Sequence, residues 1–167
     1  LVLTGIEKAI SAGLNPVKIN MVVINGVNDN EVTDFARFAI EKPVNVRFIE
    51  YMPIGNTEVW TKTRYISNEI TKRRVSMFQT PNAKGTISFI SPLSQPFCTD
   101  CNRLRLSADG KLRLCLGSNE EVDVKTVIRN KHTPDDLQQL LAKAVNMKPA
   151  GHKFNENTKP DGSMCQI

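Results

Sequence analysis

Several things are scarce in this 167-residue sequence, and each shortage excludes something. No apolar run approaches the roughly 20 residues of a membrane-spanning helix. No secretion signal opens the chain, because LVLTGIEKAI is an amphipathic stretch with an acid inside it. Aromatic residues make up only 6%, and few interleave with basic ones, which argues against a nucleic-acid surface built on stacking. There is no internal repeat and no initial methionine, so a fragment or a processed chain is expected. Cysteine is limited to four residues, three of them clustered as Cys98-x2-Cys101-x13-Cys115, with Cys165 near the far end. Without a secretion signal the expected compartment is the reducing cytoplasm, where such a cluster more often binds metal than forms disulfides.

What is present is an ordinary globular composition, 40% hydrophobic and 23% charged. The length suits one domain with a real core, or two small ones. A net charge of +5 attracts polyanions, whether nucleic acid, anionic membrane or phosphorylated small molecules. The plainer reading is a merely basic surface.

Along the chain, residues 1–12 read as a helix stopped by Gly13 and Asn15-Pro16. VKINMVVI (17–24) is a β-branched run of strand length. A helix is expected over 28–41, capped by Asn28 or Asp29, with Val32, Phe35, Ala36, Ala39 and Ile40 at helical spacing. NVRFIEYM (45–52) is a second strand. This order implies parallel strands with helices outside, an α/β fold. One such unit cannot close a sheet, so the chain reads as the later part of a larger fold. Further on, a helix is expected near 67–73 with Ser67 as its cap. Antiparallel strands are expected at 73–80 and 86–92, and helices at 122–130 and 133–145. Thr133 caps the last of these, with Pro134 at its first position and Asp136 answering the cap. The final 20 or so residues read as an extended tail.

FCTDCNRLRLSADGKLRLCL (97–116) carries the chemistry. A two-residue turn at Asp109-Gly110 would mix apolar and charged side chains on both faces. A three-residue loop, Ala108-Asp109-Gly110, pairs Ser107 with Lys111, Arg105 with Arg113 and Arg103 with Cys115. That register sorts Leu104, Leu106, Leu112, Leu114 and Leu116 to one face. The other face then carries Cys101, Cys115, Arg103, Arg105 and Arg113. Like charges there call for an anion, and the planar guanidinium matches phosphate oxygens in pairs. Three thiolates fit either of two metals. Zinc would need His132, His152 or Cys165 to complete four ligands. A [4Fe–4S] cluster held by three thiolates keeps one iron open. Three inert core cysteines are the bland alternative.

The same stretch, preceded by ISPLSQP, resembles the C-terminal cluster motif of the GTP 3′,8-cyclase family. These are radical S-adenosylmethionine enzymes that begin molybdenum cofactor biosynthesis. VKINMVVINGVND and VRFIEYMPIGN resemble the family's late barrel strands, and SMCQI resembles its tail, without the usual closing glycine pair. The resemblance implies the end of an incomplete TIM-type barrel at 1–53. It implies a C-terminal extension at 54–146, with a small antiparallel β-sheet plus helices and the cluster hairpin, and a tail at 147–167. Cys98, Cys101 and Cys115 are then implied as ligands of a [4Fe–4S] cluster whose open iron meets guanine. Arg103, Leu104, Arg105 and Lys18 are implied as GTP contacts, and Met52 with Arg47 as S-adenosyl-L-methionine contacts. Each has a plainer role: Lys18 as a solvated charge, Met52 as core filler, Glu50 as an ion-pair partner, His132 and His152 as surface residues, and Cys165 as a free thiol. The family's second [4Fe–4S] cluster needs a C-x3-C-x2-C motif that this sequence lacks, so the chain alone is expected to hold substrate without turning it over. In the complete enzyme a 5′-deoxyadenosyl radical takes hydrogen from the ribose of GTP. The product is (8S)-3′,8-cyclo-7,8-dihydroguanosine 5′-triphosphate, which passes to a cyclic pyranopterin monophosphate synthase. Neither membrane nor nucleic acid is an expected partner, and a homodimer stays open. The alternatives are a zinc-containing nucleic-acid-binding module and a ferredoxin-like carrier.

Overall fold

A computed structural model describes residues 1–54, 60–78, 80–130, 133–152 and 154. His132, Cys165 and the SMCQI stretch lie outside the described residues. The described chain divides into two compact units, Leu1–Met52 with Lys62–Pro96, and the described part of Pro53–Thr61 with Phe97–Ile167. No described helix is long and apolar enough to cross a membrane.

The first unit opens with α1 (Val2–Ser11), then β1 (Val17–Val23), α2 (Val32–Glu41), β2 (Val44–Glu50), α3 (Asn68–Val75) and β3 (Thr86–Ile90). The strands form one parallel sheet in the order β1-β2-β3. Two expectations are corrected here. Within the segment expected as a strand at 73–80, residues 73–75 end α3 and Ser76–Phe78 form a 3-10 turn. The strand at 86–90 runs parallel to β2 rather than antiparallel to a neighbour. The cause of both is α3, which buries Asn68, Thr71 and Val75 along one side. A helical crossover delivers the next strand in the direction of the last. Helix α2 also starts later than expected. Asn28 Oδ1 accepts from the Ile24 N–H at 2.8 Å and Asp29 Oδ1 from the Gly26 N–H at 2.8 Å. Those side chains therefore close the turn before the helix instead of capping it.

The two faces of this sheet differ. Met21, Val23, Val44, Val46 and Phe48 are buried against Val32, Ala36 and Ala39 of α2, with Ile66 and Val75. Gly85 brings the start of β3 onto this layer; its N–H donates to the Ala39 carbonyl at 2.8 Å. A Cβ there would lie 2.2 Å from the Val44 oxygen, so only glycine fits. On the opposite face side chains alternate outward. The register there lines up Lys18, Asn45 and Thr86 in one row and Asn20, Arg47 and Ser88 in the next. Asn45 Nδ2 donates to Thr86 Oγ1 at 2.5 Å and Ser88 Oγ at 3.0 Å, and Arg47 Nε donates to Asn45 Oδ1 at 2.8 Å.

β2 ends in a buried acid. Glu50 is fully enclosed and has no ion pair among the described residues. Its carboxylate accepts from the backbone N–H groups of Asn68 (3.0 Å), Leu93 (2.9 Å) and Ser94 (3.0 Å), and from the Ser94 hydroxyl. Ser67 stands at the N-cap position of α3 but makes no side-chain cap bond, and Glu50 takes the first helical N–H instead. The Asn68 side chain closes the same corner, donating to the Phe48 and Ile90 carbonyls and to Ser91 Oγ.

The second unit contains β4 (Arg105–Leu106), β5 (Lys111–Arg113), β6 (Glu121–Asp123), α4 (Val124–Arg129) and α5 (Pro134–Met147). Its strands are antiparallel in the order β4-β5-β6. The helix expected from 122 begins only at Val124. Residues 121–123 pair with β5, and Asp123 caps the helix by accepting from the Thr126 N–H at 2.9 Å. α5 carries the expected capping box between Thr133 and Asp136. Leu112, Leu114, Val122, Val124 and Ala144 form this unit's core, with Leu104, Leu137 and Leu140 against it.

Replacing Glu50 by Ala takes the acceptor from the buried Asn68 N–H and from the less enclosed Leu93 and Ser94 N–H groups. At about 1–3 kcal/mol for the buried unmet donor, a loss of roughly 2 kcal/mol is expected as a lower urea midpoint. An unchanged midpoint would show that those donors reach water. Burial pushes the Glu50 acid upward, but the Ser94 hydroxyl and the N–H groups of Asn68, Ser94 and Leu93 outweigh it and hold the group below the ordinary 4.5. Its contribution is therefore complete above that value and is lost as pH falls through the lower folded value. Glu50→Gln should flatten that limb of an acid-unfolding curve.

Candidate functional site

The hairpin forms in the register of the three-residue loop. Ser107 N–H donates to the Lys111 carbonyl at 2.9 Å, Gly110 N–H to the Ser107 carbonyl at 3.0 Å, and Arg105 lies opposite Arg113. Gly110 sits at φ 84°, the left-handed region that a side chain resists. Its carbonyl accepts from the N–H groups of Val124 and Lys125 at 3.1 and 3.0 Å, docking the loop on the start of α4.

The side-chain sorting holds for part of the leucine stripe. Leu112 and Leu114 are buried and Leu104 packs against the same core, but Leu106, on the short outer strand, is 63% exposed. Arg113 departs further from expectation. It is buried at 7% exposure, because β6 pairs with β5 and sets Glu121 opposite it. Arg113 Nε donates to Glu121 Oε1 at 3.1 Å, and Nη2 makes a second, shorter bond to the same oxygen. The Arg113 and Lys111 cations hold the Glu121 acid below its usual range. Arg113 is therefore answered inside the fold. Arg103 and Arg105 form no ion pair with a carboxylate among the described residues.

The three cysteines are free and half-buried. Cys98 opens a short 3-10 turn, and Cys101 N–H donates back to its carbonyl at 3.1 Å. The Cys101 thiol is held below its usual value, chiefly by the Arg103 backbone N–H, with burial opposing and the Lys148 ammonium assisting. Cys115 Sγ accepts from the Gly117 N–H at 3.4 Å. In donor chemistry this set suits an iron–sulfur cluster: unpaired thiols, partly screened from water, with N–H groups aimed at sulfur. The side chains are not drawn onto one point, since among the described residues no group of three His, Cys, Asp or Glu stands close enough to hold a metal ion.

The other candidates belong to the first unit. Lys18 and Arg47 share the polar face of the parallel sheet, Lys18 exposed and Arg47 half-buried and tied to Asn45. Met52 follows β2 and is half-buried. Asn45 was missed from the sequence, although its place two residues before Arg47 in a strand puts both on one face. Lys148 was also missed, because the Lys-Pro after α5 read as the start of a tail. His152 is half-buried and stacks on Phe154 with ring centroids 4.5 Å apart.

Residues 63–154 match the family described as Molybdenum Cofactor Synthesis C. Along nearly its whole length the chain is similar to proteins named GTP 3′,8-cyclase. It is 44% identical to that of Alkaliphilus oremlandii, over 99% of this chain and 56% of the relative. For Alkaliphilus metalliredigens the identity is 40% over the same shares, and for Moorella thermoacetica it is 41% over 98% and 56%. The chain thus spans a little over half the length of these relatives.

Breaking the Arg113–Glu121 pair should act on folding. Arg113→Ala leaves the half-buried Glu121 carboxylate with the more exposed Lys111, 3.4 Å away, and removes the buried packing of the arginine. The expected cost is about 2 kcal/mol, between the exposed and the buried ion-pair scales. A thermal midpoint equal to that of the unsubstituted chain would contradict this.

Proposed function

We propose, since this chain belongs to the Molybdenum Cofactor Synthesis C family, that it is the substrate-holding half of a GTP 3′,8-cyclase. Cys98, Cys101 and Cys115 would hold an iron–sulfur cluster, and Arg103 and Arg105 the triphosphate of GTP. When bound, that cluster would offer an iron with an open position to the guanine base. Everything else in this half is positioning by the chain's own groups.

The observation that carries this reading is the unequal treatment of the hairpin arginines. Arg113 is neutralised internally by Glu121, whereas Arg103 and Arg105 have no carboxylate partner among the described residues and flank the thiols. Uncompensated guanidiniums next to one another are unfavourable unless an anion joins them, and a phosphate chain accepts their paired N–H groups. Arg103 serves twice, its backbone N–H on the Cys101 thiol and its side chain outward. The Leu104 side chain is spent on the core, so its part in substrate contact would fall to its backbone.

In the first unit, the polar sheet face bearing Lys18, Asn20, Asn45 and Arg47 fits the lining of a barrel lumen. Parallel sheets ordinarily cover both faces, and a row of cations and amides makes sense where it meets an anionic ligand. Lys18 would contact GTP, and Arg47, steadied by Asn45, and Met52 would contact S-adenosyl-L-methionine. The strands are then the last of a TIM-type barrel. Without the C-x3-C-x2-C motif, this chain by itself would bind GTP and not convert it.

Anaerobic metal analysis tests the cluster: iron with sulfide supports it, and one zinc per chain favours a nucleic-acid module instead. GTP binding to the loaded chain tests the arginines. Arg103→Ala and Arg105→Ala each remove charge-assisted bonds of about 1.5–3 kcal/mol, so affinity should fall roughly 10- to 150-fold. Binding that survives both changes would sink the phosphate assignment.

A further inference from the structure

Beyond the three cysteines, one basic side chain is built into their surroundings. α5 ends at Met147, and the next residue, Lys148, turns its Nζ to 3.7 Å from Cys101 Sγ and 3.3 Å from the Leu114 carbonyl. Lys148 is half-buried and has no carboxylate within ion-pair distance among the described residues. A partly desolvated ammonium without an acid needs another source of negative charge. Here it spans a thiol and the carbonyl that immediately precedes Cys115. The same strap then reaches the other cysteines. A Cβ on Gly151 would stand 4.0 Å from Cys98 Sγ, and Gly117, whose N–H serves Cys115, packs against the His152 Cβ position.

We propose that Lys148 is a positioning residue for the cysteine site: its ammonium bridges the two arms of the hairpin and holds positive charge against the thiolates. This deepens the cluster assignment above and rests on it. A metal centre bearing thiolates gains negative charge when reduced, and a nearby fixed cation favours the reduced form. Lys148 therefore raises the reduction potential of whatever iron–sulfur centre these cysteines hold. It also screens the mutual repulsion of the thiolates as they gather.

The full 167-residue chain, reconstituted anaerobically with iron and sulfide, tests this through its midpoint potential, followed by electron paramagnetic resonance during a redox titration. Lys148→Met should shift the potential to more negative values and speed loss of iron to a chelator. Lys148→Arg should restore both. Lys148→Gln keeps a donor without the charge, and should follow Met in potential. If Met and Gln both match the unsubstituted chain in potential, or if Arg fails to rescue while remaining folded by circular dichroism, the role of Lys148 is overturned with the cluster assignment intact. If the unsubstituted chain takes up no iron and sulfide, the cluster assignment falls and Lys148 loses its role with it.

Discussion

The pairing of Ser107 with Lys111 is the constraint on which the cysteine side of this protein depends. Side chains alternate along a strand, so a slip of one residue would move every group of one arm to the other face. The three-residue loop prevents that slip. Gly110 takes the left-handed conformation, and its carbonyl is tied to the first N–H groups of α4. With the register held, Leu112 and Leu114 enter the core, Arg113 meets Glu121, and Arg105 lies across from Arg113 without an acidic partner among the described residues.

Charge in this unit is apportioned rather than merely abundant. The excess of basic residues says only that polyanions are attracted. The fold decides which cations are already spent. Arg113 is paired with Glu121, while Lys148 is directed at a thiol and a carbonyl. A motif that reads as three equivalent arginines thereby divides into one paired with Glu121 and two without a carboxylate partner among the described residues.

The first unit shows a parallel division. One sheet face is apolar and covered by helices; the other carries Lys18, Asn20, Asn45 and Arg47 in register. Glu50 belongs to the covered face although it is an acid. With no cation paired to it among the described residues, its charged form is favoured by three N–H groups and a hydroxyl that converge on it, a solvation that hydrogen bonds can supply and apolar packing cannot. It joins the end of β2 to the start of α3 and to the segment after β3, which an ion-pair role would not have done.

Local chemistry was legible in the sequence where neighbours in the chain decide it. The β-branched runs of β1 and β2, the capping box of α5 and the three-residue loop follow from residues within one turn or one strand of each other. The sequence also marked the cysteine spacing and the arginines beside it. Where partners lie far apart in the chain, only tertiary structure decided. The direction of β3 depended on α3 crossing over, and the fate of Arg113 on a third strand supplying Glu121. The shortened start of α2 came from a turn that needed Asn28 and Asp29. Lys148 reaches Cys101 across 47 positions, and no periodicity within its own segment records a contact made at that separation. Sequence patterns report which groups are available; burial and long-range pairing choose which of them are consumed by the fold and which remain for chemistry.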